Sequence, residues 1–298
     1  MKLSIILIAY NQEETISQSI DSILMQNLPF DFEIIVADDF SSDKTMAIIK
    51  NKLIDKVENL NFLENSKNIG ISKNYQRAFL ASKGEYIAVM EGDDYWTNPN
   101  RLIKHIEFLD FHRECVMSMN RFIVYNQNKK DFYYKKWNSN DDYIYIKTTD
   151  TIRDNKLGNL SACVFRKSVV DLLKPDLFDL SLADWMLGIV LSQYGFIAIL
   201  KEMTSVYRIH NRGVWSNTTK EEKKVQILKL IDAYNKYLEY RYDKEFTRLK
   251  GYKSGKLKNK FLYYEFVDFL PPFILVLIKL IIPKIILLHL KHFYLKFK

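Results

Sequence analysis

Three polar clusters follow directly on short apolar runs, and their residue types suit the handling of a cation and a phosphate. Tyr10-Asn11 comes just after residues 3–8, Asp38-Asp39 after 32–37, and Glu91-Gly92-Asp93-Asp94 after 85–90. Gathered carboxylates repel one another unless something cationic sits between them. Carboxylate oxygen is the ligand a hard divalent ion takes, and a phosphate-bearing ligand would complete its shell. Neither GxGxxG nor GxxxxGK[ST] occurs in the chain, which argues against a dinucleotide oxidoreductase or a P-loop enzyme. A nucleotide held through carboxylates and a metal fits better.

The elements that must position these clusters alternate in type. Residues 3–8 and 32–37 are nearly continuous apolar, as strands covered on both faces are. Residues 13–25 carry Ile16, Ile20, Ile23 and Leu24 at helical spacing. A helix over about 43–53, a short strand at 61–64 and a helix over 72–81 with Ser72 as N-cap come next. A strand over 85–90 precedes a helix over 99–111 that has proline in its first turn. This order predicts an α/β fold, a mostly parallel sheet with helices on both faces. In such a sheet ligands bind outside the carboxyl ends of the strands, so the clusters should meet along one rim. Residues 112–165 are rich in Tyr, Asn and Lys and read as added antiparallel strands and loops. A helix over 182–193, two strands near 196–209 and a polar helix over about 219–241 complete the series.

The same residues resemble the family 2 glycosyltransferases of the GT-A (Rossmann-like) fold, an inverting group that builds bacterial surface polysaccharides. SIILIAYNQEETISQSIDSILMQ is similar to the family's opening strand and helix, and EIIVADDFSSDKT to its Asp-Asp-Gly-Ser-x-Asp-x-Thr element. NIGISKNYQRAFLASKGEYIAVMEGDDYW resembles the segment that ends in Asp-x-Asp-Asp. LADWMLGIVL and SVYRIHNRGVWS resemble the catalytic-base helix and the Tyr-Arg-x-His stretch. Three positions depart from the pattern: Glu91 for the first Asp, Ala9 for Thr or Ser, and Phe40 for Gly. None of them removes a charge.

The resemblance implies a division of labour. Ala9, Tyr10, Glu13, Asp38, Asp39, Lys73, Glu91 and Gly92 would bind the donor nucleotide, with Asp38 and Asp39 framing the nucleoside and Lys73 near the diphosphate or solvated on its helix. Asp93 would ligate a divalent metal, Mn²⁺ or Mg²⁺, with His210 completing its shell. Asp184 would be the single carboxylate base that inversion requires, or else the N-cap of its helix. Asp94, Trp185, Arg208 and Arg212 are possible acceptor or phosphate contacts. The implied reaction moves a sugar from a nucleotide-diphosphate donor, a UDP-sugar by preference, to a hydroxyl of a saccharide or lipid-linked acceptor. The rivals are a non-catalytic, membrane-docked subunit of the same fold and a nucleotidyltransferase, whose Gly-rich activation loop is missing.

Charge distribution bears on location. The net charge is +8, yet residues 241–298 hold 13 Lys/Arg against 4 Asp/Glu while the first 240 are nearly balanced. A basic tail with apolar runs points to an anionic membrane surface, not to nucleic acid. Residues 266–290 are mostly apolar but broken by Pro271, Pro272, Pro283, Lys279 and Lys284. That pattern suits helices lying in the interface more than a span, or an amphipathic cap or dimer contact. The expected organisation is a catalytic domain over 1–215 and a helical membrane-associating extension over 216–298. Cys115 and Cys163 lack metal-type spacing and read as buried thiols in a reducing compartment. No signal-peptide pattern opens the chain, so the expected location is cytoplasmic, on the inner face of the cell membrane.

Overall fold

The structure, a computed structural model, describes residues 1–181, 184–211, 213 and 218–255. The chain divides into two compact units, Met1–Phe246 and Thr247–Lys298. The first opens with β1 (Leu3–Ala9), α1 (Ile16–Leu24), β2 (Phe32–Asp38), α2 (Thr45–Leu53), β3 (Leu60–Phe62), α3 (Ile71–Ala81) and β4 (Tyr86–Glu91). After β5 (Tyr95–Trp96) and α4 (Arg101–Phe111) come β6 (Cys115–Asn126), β7 (Asp131–Tyr133), β8 (Tyr143–Ile146) and α5 (Thr148–Arg153). β9 (Cys163–Arg166), α6 (Lys167–Val170), α7 (Asp184–Leu191), β10 (Phe196–Ile209), α8 (Lys220–Tyr237) and α9 (Asp243–Lys253) follow.

Among the described residues, one sheet contains all the strands, in the order β3-β2-β1-β4-β9-β6-β10-β5, with β7 added on β6 and β8 on β10. The first four strands are parallel neighbours, as the alternating pattern predicts. The expectation of a mostly parallel sheet fails beyond them. β9 lies antiparallel between β4 and β6, and β5, β7 and β8 are antiparallel to their partners. The sheet is therefore mixed, in a GT-A-like arrangement. The reason is topological: β9 follows a 3₁₀ turn at Leu160–Ala162 and enters the gap beside β4 from the opposite end. No periodicity along the chain encodes that choice. The two strands expected near 196–209 are one 14-residue strand with register shifts, parallel to β6.

The expected C-terminal membrane-associating helical segment is likewise corrected. Among the described residues, no helix is long and apolar enough to cross a membrane. α8 and α9 carry many charges, and α8 starts from a capping box in which Thr219 and Glu222 satisfy each other's backbone N–H groups. Residues 256–298, which hold the apolar runs, lie outside the described residues.

Burial explains why the first half holds its strand ends in place. Leu3, Ile5 and Leu7 of β1 pack in one cluster with Ile34 and Val36, with Tyr86, Ala88 and Met90, and with Ile16, Ile20 and Ile23 of α1. Each fully buried aliphatic side chain there contributes about 1.5–3 kcal/mol. α3 is tied to the end of β2, where Asn74 Nδ2 donates to the Ala37 carbonyl at 2.7 Å and Arg77 Nη2 to the Asp38 carbonyl at 2.6 Å. The N-cap of α3 is Gly70 at φ 85, and Ser72, expected as the cap, instead donates its hydroxyl to the Leu180 carbonyl. Cys115 and Cys163 are both buried free thiols.

Gly84 sets how closely the turn before β4 approaches β1. Its N–H donates to Ser4 Oγ at 2.8 Å, and a Cβ there would lie 2.4 Å from the Ser4 nitrogen and 2.5 Å from the Leu3 carbonyl carbon. Backbone cannot retreat as a flexible side chain can. Gly84→Ala should therefore destabilise the protein by about 3 kcal/mol, read as a lowered urea midpoint with unchanged m-value. A midpoint within error of the parent would show that the turn yields freely.

Candidate active site

The carboxyl ends of β1, β2 and β4 do meet along one rim, and the contacts show what each side chain is already doing. Beyond β1, Tyr10 is half exposed, and Asn11 adopts φ 50 while its Oδ1 accepts from the Ser42 N–H at 2.8 Å. Asn is one of the few residues that enters this left-handed region readily. Phe40 sits in the same region at φ 66 with its ring half exposed. Ala9 is buried, and its carbonyl accepts from the Asp39 N–H. Glu13 accepts from the Lys44 N–H at 3.1 Å.

Asp38 and Asp39 are both buried and both hold loops. Asp38 accepts from the backbone N–H and hydroxyl of Ser41. Asp39 accepts from Asn65 Nδ2 and from the N–H groups of Ile69 and Gly70. Each carboxylate offers about four lone-pair sites, so capacity for a ligand remains. Burial lowers the pKa of the neighbouring Arg77 guanidinium, and the charges of Asp39 and Asp38 partly restore it. Lys73 is ion-paired to Asp179 across an exposed gap of 2.5 Å, a pairing that contributes little and can be exchanged.

The end of β4 carries three carboxyl groups within four residues, Glu91, Asp93 and Asp94. A Cβ at Gly92 would lie 2.4 Å from Gln12 Oε1 and 2.6 Å from Ile16 Cδ1, so both side-chain ends would have to shift to admit one. The Gly92 carbonyl accepts from the hydroxyls of Thr15 and Ser19, and Ser19 also reaches the Asp94 carbonyl at 2.6 Å. Glu91 accepts from the Tyr75 hydroxyl at 2.9 Å. Burial, and then the Asp93 charge, pushes the Glu91 carboxyl up to about 8. Asp94 is fully buried, accepts from the Arg208 N–H at 2.9 Å and the Ser161 hydroxyl at 2.8 Å, and is pushed well up for the same reasons.

Asp93 has His210 as its side-chain partner. Its Oδ2 lies 3.0 Å from His210 Nε2, and its carbonyl accepts from Arg208 Nε at 2.8 Å. Arg208 is buried, with its guanidinium over the rings of Tyr95 and Tyr125 at 5.4 and 5.7 Å. Arg212 lies outside the described residues. Among the described residues no group of three or more His, Cys, Asp or Glu is arranged to hold a metal ion.

Asp184 opens α7 and accepts from Asn155 Nδ2 at 3.5 Å. Burial raises its pKa, and its charge in turn helps to raise that of Glu91. It thus joins the β4 acids despite a separation of about ninety residues in sequence. Tyr207 feels all four acids, Asp94, Glu91, Asp93 and Asp184, and burial and their charges push its hydroxyl above the ordinary tyrosine range. Trp185 is buried, with its Nε1 donating to the Thr151 carbonyl.

Several of these positions escape sequence reasoning. Ser161 accepts from the Glu91 N–H at 3.0 Å while donating to Asp94, and its carbonyl accepts from Trp96 Nε1 and Arg101 Nη2. Nothing in NLSACVF marks it. Thr15 and Ser19 do leave a signal, as hydroxyls on the face of α1 that also carries Ile16, Ile20 and Ile23.

The fold is shared with solved structures of the GT-A-like kind. S. aureus TarS 1–349 in complex with UDP-GlcNAc superposes with a TM-score of 0.60 at 20% identity, over 78% of this chain and 66% of that one. Mannosyltransferase PcManGT from Pyrobaculum calidifontis, in complex with GDP-Man and Mn²⁺, gives 0.55 at 14%, over 80% and 64%. The family model described as Glycosyl transferase family 2 matches residues 4–171, more than half of the chain, and the chain belongs to that family. An uncharacterized protein of Mycobacterium tuberculosis H37Rv is 30% identical over 227 residues, covering 74% of this chain and 63% of that relative, so under two thirds of its length. The putative teichuronic acid biosynthesis glycosyltransferase TuaG of Bacillus subtilis is 26% identical over 229 residues, covering 74% and 84%.

Ser161 tests whether the acid turn is held as described. Ser161→Ala strips a donor from the buried Asp94 carboxylate and an acceptor from the Glu91 N–H. The loss should be about 1–3 kcal/mol, measured by chemical denaturation. Equal stability of the variant would mean that water replaces the hydroxyl.

Proposed function

We propose that the protein is an inverting glycosyltransferase that moves a sugar from a nucleotide-diphosphate donor, a UDP-sugar by preference, to a saccharide hydroxyl. The feature that carries this reading is the electrostatic coupling of Asp184 to Glu91 at the end of β4, with the charges of all four acids also felt by Tyr207. Among the described residues, no Lys or Arg side chain is ion-paired with Glu91, Asp94 or Asp184. A corner so rich in carboxylate is suited to a cationic partner and to a reaction that needs a base. Family membership supports the same reading.

Tyr10, half exposed at the end of β1, would cover a base or ribose, with the carboxylates of Asp38 and Asp39 as acceptors. Asp93 and His210 offer one oxygen and one nitrogen donor at 3.0 Å from each other, a set that fits Mn²⁺ or Mg²⁺ when diphosphate oxygens and water supply the remainder. When bound, such an ion neutralises charge on the departing diphosphate. Arg208, locked between Tyr95, Tyr125 and the Asp93 carbonyl, keeps a fixed positive charge close by.

Asp184 takes the proton from the acceptor hydroxyl as its oxygen bonds to the anomeric carbon. The bond from that carbon to the diphosphate oxygen breaks on the opposite face, and the electron pair leaves with the nucleotide. A base with a raised pKa binds that proton more firmly than an ordinary aspartate does. Asp94 and Glu91 shape the turn that aims Asp93. The basic balance of residues 241–298, a property of the sequence, favours work at an anionic surface such as the inner face of the cell membrane.

Two variants separate the roles. Asp184→Asn should bind donor normally yet lose about 10²–10⁴-fold in kcat. In the parent, the acid limb of the pH–rate profile should lie above the usual aspartate range, because burial raises the Asp184 pKa and only the ionised form accepts a proton. Near-parental kcat in Asp184→Asn would move the base elsewhere. Asp93→Asn should abolish the Mn²⁺-dependent part of nucleotide binding in calorimetry; equal affinity with EDTA and with Mn²⁺ in the parent would remove the metal from the reading.

A further inference from the structure

The hairpin made by β6 and β7 presents an unusual surface. Residues 128–136 are all exposed, and they include Phe132, Tyr133 and Tyr134, whose relative exposures are 60%, 50% and 60%. Folded chains seldom leave three consecutive aromatic side chains in water without a use for them. Lys129, Lys130, Lys135 and Lys136 lie in the same nine residues, against the single acid Asp131.

The surface connects with the acid corner. Phe132 pairs with Tyr125 across the hairpin, the rings stacked at 4.5 Å and 21°. Tyr125 is in turn the register partner of Arg208 on β10, whose guanidinium lies over its ring. Arg208 Nε holds the Asp93 carbonyl. Phe132, Tyr125 and Arg208 thus form one row across three strands that ends at the residue proposed to hold the metal. Four residues before Tyr125 on β6, Arg121 lies over the Trp137 ring and donates to the Lys135 carbonyl, which ties down the segment leaving β7.

We infer that this hairpin is an extended acceptor subsite for a saccharide chain that carries negative charge. The aromatic faces of Phe132 and Tyr134 would stack on sugar rings, whose C–H faces are apolar, and the lysines would pair with phosphate or carboxylate groups along the chain. The inference rests on the glycosyltransferase reading and deepens it by naming the acceptor class. A saccharide is favoured over an anionic membrane because the aromatic row runs back to Asp93, and Tyr207 feels the charges of both Asp93 and Asp184, the base proposed to act on the acceptor hydroxyl.

The full-length protein is titrated by calorimetry with a polygalacturonate oligomer, a phosphomannan oligosaccharide, neutral dextran of matched length, and phosphatidylglycerol vesicles. Binding of either anionic saccharide, well above dextran and weakening with salt, supports the inference and tells carboxylate from phosphate. Phe132→Ala with Tyr134→Ala should weaken that binding about tenfold. Replacing the four lysines by Gln should weaken it and flatten its salt dependence, and neither variant should change affinity for UDP. Failure to bind both anionic saccharides, equal binding of dextran, or unchanged affinity in both variants would overturn it. So would binding to vesicles alone that the same substitutions abolish, since the hairpin would then be a membrane contact. Absence of nucleotide binding in the parent would instead defeat the glycosyltransferase reading, whatever the hairpin binds.

Discussion

Carboxyl groups gathered in a buried corner are the constraint on which the rest of this structure depends. Glu91, Asp93 and Asp94 follow one another at the end of β4, and Asp184 joins them from α7. A buried carboxylate without compensation costs several kcal/mol. The fold meets that cost in a different way for each acid. Glu91 has its pKa raised to about 8 and leans on the Tyr75 hydroxyl. Asp94 is enclosed and held by the Arg208 N–H and the Ser161 hydroxyl. Asp93, the least enclosed of the three, faces His210.

These arrangements draw on distant parts of the chain. Ser161 reaches Glu91 and Asp94 together only because β9 runs antiparallel beside β4 and brings the preceding 3₁₀ turn to the rim. The Ser161 carbonyl is fixed by Trp96 and by Arg101, a buried guanidinium stacked on Trp96 at 4.5 Å. Burial lowers the Arg101 pKa to about 9, and its Nη1 has no partner. The antiparallel half of the sheet is therefore a working part of the site.

On the nucleotide side, Asp38 and Asp39 serve the chain before any ligand arrives. Asp39 gathers the loop at 65–70 through three donors, and that loop leads into the N-terminus of α3. Removing either carboxylate would disturb the backbone around it, so loss of binding alone could not separate a contact role from a scaffolding one.

Local pattern was enough to read the first four strands and their helices, because strands buried on both faces and amphipathic helices carry their packing in hydrophobic periodicity. It also located Asp38, Asp39, Glu91 and Asp93, since polar residues that end a buried parallel strand have one rim to occupy. The antiparallel entry of β9, the fusion of two expected strands into β10 and the meeting of Asp184 with Glu91 were decided by tertiary structure. Those are pairings between residues far apart in sequence, settled by which edge remains open and which surfaces can be buried together. Ser161 belongs with them. A serine in a short loop has no local signature, and only the arrival of β4 and β10 on either side turns its hydroxyl into the clamp of an acidic turn.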